Sequence, residues 1–230
     1  MARKRADAAV KERLTRERIV DCAIALAGAE GLEAVTIRRL AQDQGVTPMA
    51  LYWHFKDKDR LLDGIAEKVL SDVTLPAGSG GPWHEQLRHL LSELLTVLRA
   101  HPAVADLVKT RFLLSEPGLQ LAERALGLLR GAGFTPEQSA QLSGHALQTI
   151  VALVTQEPGL MVGEDPAARE DHIRLKRASL QALSPDRFPN MVASADAFTD
   201  CGNEPAYFEL GLDLFIEGVR GVQPGQSDQR

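Results

Sequence analysis

The sequence predicts an all-α protein, with a small three-helix domain at the N-terminus and a larger helical domain after it. Two observations carry this. Apolar residues recur with a period near 3.6 along almost the whole chain, and period-two alternation of β-branched residues is nowhere sustained. A breaker cluster, Pro76-Ala-Gly-Ser-Gly-Gly-Pro82, separates a basic first third from an acidic remainder. Residues 1–60 hold 12 Lys and Arg against 9 Asp and Glu; residues 61–230 hold 14 against 22.

Taken in order, residues 1–14 read as a basic flexible arm. The first 18 residues carry seven basic and three acidic side chains. Thr15 caps a first helix, whose Ile19, Cys22, Ala23 and Leu26 fall on one face, and Gly31 ends it in the left-handed conformation. Thr36 caps a second helix, with Ile37, Leu40 and Ala41 inward, and Gly45 closes it. Thr47-Pro48 starts a third, since proline loses nothing at the first helical position. Leu51 and Phe55 are its apolar pair. Asp57 caps a fourth, with the face Leu62, Ile65, Ala66 and Val69, which connects onward to about residue 75. The small domain therefore spans 15–62 and the larger one 76–222. Within the latter, helices are expected at 83–100, 103–115, 117–131, 136–156, 167–183, 189–199 and 204–221. Residues 223–230 read as a disordered tail.

Composition excludes several classes. With 230 residues, 44% apolar and 25% charged, the chain is an ordinary globular protein. Its net charge of −5 rules out a uniformly basic protein but allows a locally basic face. Cys22 and Cys201 are too few for a disulfide framework, and no C-x-x-C pattern occurs. No apolar core of a signal peptide follows the basic start, and no apolar run approaches the ~20 residues needed to span a bilayer. The expectation is a cytoplasmic protein with no membrane partner.

Helix, short helix, tight turn at Gly45, short helix is helix-turn-helix geometry. With Leu51 and Phe55 inward, Thr47, Met49, Ala50, Tyr52, Trp53 and His54 must mostly face away from the core. Tyr, Trp and His together on one exposed short helix suit a major groove. The helix N-terminus at Thr36 offers N–H groups to a phosphate, and Arg38 lies in that turn. Lys56 and Lys58 flank the far end. A small three-helix domain that binds protein instead stays open on pattern alone.

At these residues the chain resembles the TetR family of transcriptional regulators. The resemblance rests on Thr36-Ile-Arg-Arg-Leu-Ala-Gln42, Gly45-Val46 and Leu51-Tyr-Trp-His-Phe-Lys-Asp-Lys58. Leu61-Leu62-Asp63 and the stretch from Gly202 to Leu214 are similar to the tetracycline-repressor branch. The resemblance implies a homodimer on a double-stranded DNA operator, most simply a repressor released by a small molecule. It implies a base contact from Arg38, phosphate contacts from Thr36 and Tyr52, base-edge contacts from Thr47, Pro48, Met49 and Ala50, and backbone contacts from His54 and Lys58, with Trp53 on the same face. Where that branch has Glu, Gln, Pro and Thr, this chain has Thr47 to Ala50, so the tetracycline operator is not its expected target.

Helix 204–221 is apolar on two sides, so one side packs on its own body and the other wants a partner. Phe208, Gly211, Leu212, Phe215 and Val219 form one side; Tyr207, Leu210 and Leu214 form the other. The family implies a four-helix dimer seam from 136–156 and 204–221, assigned to Leu142, Thr149, Ile150, Phe208, Leu212, Phe215 and Val219. A core helix in a monomer is the alternative. A ligand pocket is expected among 74–82, 101–118 and 145–157, with His101, Val108, Arg111, His145 and Gln148 as candidates. Val108, Leu153 and Thr74 stand where the tetracycline-repressor branch holds drug and magnesium, which argues against tetracycline–magnesium. The effector is unidentified, and no cofactor or metal is expected. His84 and His89 are five residues apart, about 140° around a helix, and cannot share a metal on one face. No catalytic constellation stands out, so an enzyme is not expected. A protein-interaction module, or an activator with the same fold, is the rival reading.

Overall fold

The computed structural model describes residues 14–75, 80–156, 166–199, 204–222 and 224. Among these, the regular elements are helices and there are no strands.

Helix α1 (Arg16–Glu30) begins where the Thr15 hydroxyl accepts from the Arg18 N–H at 3.2 Å. It ends at Gly31, whose φ of 85° is open only to glycine; its ψ of 161° is extended rather than left-handed helical, a departure from the expected cap. Helix α2 (Ile37–Asp43) is capped by Thr36, and α3 (Pro48–Tyr52) follows a turn in which Gly45 takes φ 64°. Helix α4 (Lys58–Ser71) is capped by Asp57, whose carboxylate accepts from the Arg60 N–H at 2.8 Å. It stops at Ser71, short of residue 75. Leu14, assigned to the arm, is instead buried in the hydrophobic core, as its apolar side chain favours; the rest of the arm lies outside the described residues.

The body comprises α5 (Trp83–Ala100), α6 (Ala105–Arg111), α7 (Glu116–Gly131), α8 (Pro136–Thr155), α9 (Pro166–Gln181), α10 (Pro189–Ala193) and α11 (Glu204–Gly221). The helix expected at 103–115 is broken in three. Short 3-10 turns at Pro102–Val104 and Phe112–Leu114 flank α6, because Ser115 must leave the helix to cap α7 through the Gly118 N–H. Helix α10 ends at Ala193, and turns carry the chain on to 199. Helix α8 carries a full capping box, with Thr135 and Gln138 reciprocally bonded. The tail expected at 223–230 lies outside the described residues except for Pro224.

Helices α5, α7 and α8 pack on one another, and α11 lies across α5 and α8. Helix α4 joins the two parts: it packs on α1 of the head and on α5, α6 and α7 of the body. One hydrophobic cluster runs from Leu14 through both parts to Val219, so the head is docked on the body rather than tethered to it.

Candidate nucleic-acid interface and ligand cavity

The head is locked by Ile19, Val20, Ala23, Leu40, Leu51 and Phe55, all buried. Leu51 and Phe55 hold α3, and Arg16 stacks over the Phe55 ring at 4.5 Å. The other side of α3 is bare. Met49 is 66% exposed, Tyr52 46% and Trp53 79%. Thr47 sits at the N-cap without a side-chain cap bond, and Pro48 beside it is exposed. Ala50 is half-buried against the core, and His54 is half-buried. Lys56 and Lys58 lie exposed at the far end.

Two adjacent arginines of α2 have opposite fates. Arg39 is held on both sides: it donates twice to Glu30, at 2.6 and 2.8 Å, and to Asp43 at 3.0 Å. These bonds hold the Glu30 carboxyl below the usual carboxylate range. Arg38 is exposed and has no hydrogen bond or ion pair among the described residues. The Thr36 hydroxyl accepts from the Arg39 N–H at 3.1 Å and keeps its own proton to donate. The head thus presents an exposed, unpaired guanidinium on α2 and exposed apolar and aromatic side chains at α3.

The body has a partly open cavity of about 220 Å³ between α5, α7, α8 and the Phe112–Leu114 turn. Leu94, Phe112, Leu121, Ala125 and Leu147 are typical of its wall, and Ser143 supplies the one polar side chain among the lining residues. Gly118 fixes the wall at Phe112: a Cβ on it would stand 1.9 Å from the Phe112 carbonyl oxygen. At the start of α5, Trp83 packs edge-on against Phe134, with ring centroids 5.8 Å apart.

None of the five expected pocket residues lines this cavity. His101 faces a separate cleft between head and body, beside Asp21, Lys68 and Asp72. Val108 is fully buried in the core, and Arg111 turns to α4, pairing with Asp63 and, at 3.1 Å, with Asp59. His145 and Gln148 are exposed on the outer side of α8. Polar side chains on amphipathic helices turn toward water or partners, and the space is left by Ala122, Ala125, Ala140 and Gly144. Nor do the residues fit a magnesium-bound drug: Val108 and Leu153 are hydrocarbon, Leu153 packs against Gly211, and Thr74 is exposed. Among the described residues no cluster of His, Cys, Asp or Glu could hold a metal ion.

Of the residues assigned to the dimer seam, Ile150, Phe208, Leu212 and Val219 are buried within the single subunit. Arg99 stacks over the Phe208 ring at 4.0 Å, and Arg88 pairs with Glu209 and, at 3.0 Å, with Asp213, fixing that side of α11 on its own body. The open side carries Leu210, 61% exposed, and Leu214, 67% exposed. Leu142, Thr149 and Phe215 are half-buried.

Among the described residues no helix is long and apolar enough to cross a membrane. Residues 19–65 match the family described as bacterial regulatory proteins, tetR family, and residues 75–222 match the tetracyclin repressor-like C-terminal domain. An HTH-type transcriptional regulator of Saccharopolyspora erythraea is 28% identical over 91% of this chain and 86% of its own length. The class D tetracycline repressor protein of Escherichia coli is 31% identical over 76% of this chain and 82% of its own. The crystal structure of ActR from Streptomyces coelicolor in complex with actinorhodin superposes with a TM-score of 0.73 at 30% identity, covering 90% of this chain and 95% of that one. With a family match at either end, together spanning most of its length, the chain belongs to the TetR family of transcriptional regulators.

Proposed function

We propose that the protein is a repressor that binds a palindromic DNA operator as a homodimer and is released when a small molecule fills the cavity of its body. The observation that carries this reading is the outward side of the head. Arg38 on α2 is exposed and unpaired among the described residues, Met49, Tyr52 and Trp53 are exposed at α3, and the neighbouring Arg39 is engaged by Glu30 and Asp43. A structural head would have no reason to leave the first cation unpaired and those rings in water.

In this reading Arg38 reads guanine through two donors. Thr36 and Tyr52 hold phosphates, and His54 and Lys58 hold the backbone farther along. Thr47, Pro48 and Met49 meet base edges, with Ala50 behind them and Trp53 at the rim. Two heads read two half-sites about one helical turn apart, which the dimer supplies. The seam is made by α8 and α11, with Leu210 and Leu214 at its centre and Leu142, Thr149 and Phe215 at its edge. The protein acts in the cytoplasm as a regulator and not as an enzyme.

The test is selection of random DNA duplexes by the purified full chain at low and moderate salt. Enrichment of a near-palindrome whose affinity falls steeply with salt supports the reading. Binding that falls with salt but enriches no motif removes the operator, and no binding at either salt removes DNA as the partner.

A further inference from the structure

The outward side of α3 has a composition that restricts how it reads a base pair. We propose that α3 recognises the C5 methyl groups of pyrimidines in the major groove, thymine above all, with Met49 as the main contact. The proposal rests on the operator reading above and names the base chemistry that operator presents.

The first support is what α3 lacks. From Thr47 through Trp53 there is no Asn, Gln, Arg, Lys, Asp or Glu. Those are the side chains that make paired or charged hydrogen bonds to base edges. Pro48 has no N–H to give, and the Ala50 N–H is taken by the Thr47 carbonyl at 2.9 Å. Gln44, the nearest amide side chain in the sequence, has both polar atoms buried. On the first turn of α3, what is left for a base edge is the Thr47 hydroxyl and hydrocarbon.

The second is what it exposes. Met49 is 66% exposed, while Leu51 and Phe55 are buried and hold the opposite side of α3 on the head. A thioether chain left in water gains nothing from the fold, and its softness suits contact with an irregular apolar surface. In the major groove the apolar feature of a base pair is the methyl of thymine, and 5-methylcytosine carries the same group.

Charge identifies the partner. Arg38 is exposed ahead of α3, and Lys56 and Lys58 are exposed beyond it. An apolar patch flanked along the chain by cations fits a groove floor between phosphate strands. Gln42 on α2 is the only exposed side-chain amide among residues 14–75, and is the rival reader of a T·A pair through adenine.

The experiment takes the duplex selected by the full chain and replaces each thymine, in both half-sites together, by uracil. Affinity is followed by fluorescence anisotropy at fixed moderate salt. At one position or more, uracil is expected to weaken binding roughly fifteenfold, about fourfold for each of two lost methyls. There 5-methylcytosine paired with guanine should bind at least about fourfold more tightly than cytosine, because it restores the methyl. Met49→Ala, at an exposed position, should match the parent on the uracil duplex within about twofold and prefer thymine over uracil by less than about fourfold. Uracil without effect at every position, or a full thymine preference retained by Met49→Ala, would overturn the proposal. So would loss of binding with 7-deazaadenine and none with uracil, which assigns the pair to Gln42. Enrichment of no duplex removes the operator reading and the methyl readout with it. A selected duplex bound equally well with uracil removes the methyl readout alone.

Discussion

The Arg111 guanidinium on α6 pairs with the Asp63 carboxylate on α4, the helix that carries the head. Both side chains are largely shielded, and the next residue along from Arg111 is the cavity wall. A shift of Phe112 therefore pulls on α4 through one covalent step and one ion pair. Arg111→Gln and Asp63→Asn are each expected to cost roughly 1–3 kcal/mol in denaturant unfolding. The double variant should cost less than the sum, by at least about 0.5 kcal/mol. Strict additivity would show that the pair carries no energy.

Arg38→Ala and Arg39→Ala are expected to fail differently. The first should leave thermal stability unchanged, cost ~1–3 kcal/mol on the selected duplex and relax preference at one base position. The second should lower stability, since Glu30 and Asp43 lose their shared partner, and leave the base preference as it was. Equal loss on selected and random DNA for Arg38→Ala would remove its base-reading role.

The two sides of α11 give another contrast. Leu214→Glu places a charge on the open side and is expected to yield a folded monomer by light scattering. Leu212→Glu buries the charge inside the subunit and is expected to unfold it. An unchanged dimer mass for Leu214→Glu would move the seam elsewhere.

Acid should loosen the head through Glu30. Arg39 holds its folded carboxyl below the ordinary glutamate value of about 4.3, so the unfolded chain binds the proton first. That stabilisation is complete above about pH 4.3 and is lost as pH falls toward the depressed folded value. Glu30→Gln should flatten the stability profile across this window, followed by far-UV circular dichroism at graded pH. An unchanged acid slope would mean that the Glu30–Arg39 pair does not persist in solution.

Much of this architecture was legible because caps and periodicity are local. Thr15, Thr36 and Asp57 each bond the N–H three residues on, within reach of a short-range reading. What the sequence withheld depends on distant partners. Asp43, four residues on in the same helix, already sets Arg39 apart from Arg38 in the sequence; the second partner, Glu30, lies on another helix and is visible only in the fold. Helix α11 is apolar on both sides, so periodicity could not say which faces inward; Arg88 and Arg99 on α5 decide it. The cavity is lined almost wholly by Leu, Ala, Phe and Gly, so no polar residue in the sequence marks it.

The chain has two tryptophans, and the fold assigns one to each working part. Trp53 is 79% exposed on the head, and Trp83, at the start of α5, packs against Phe134. The protein thus carries its own pair of fluorophores. One is placed to be quenched when bases stack near it, the other to change as the body's interior is filled. Trp53→Phe and Trp83→Phe would separate their emission, letting both halves of a regulatory cycle be followed in real time without a label.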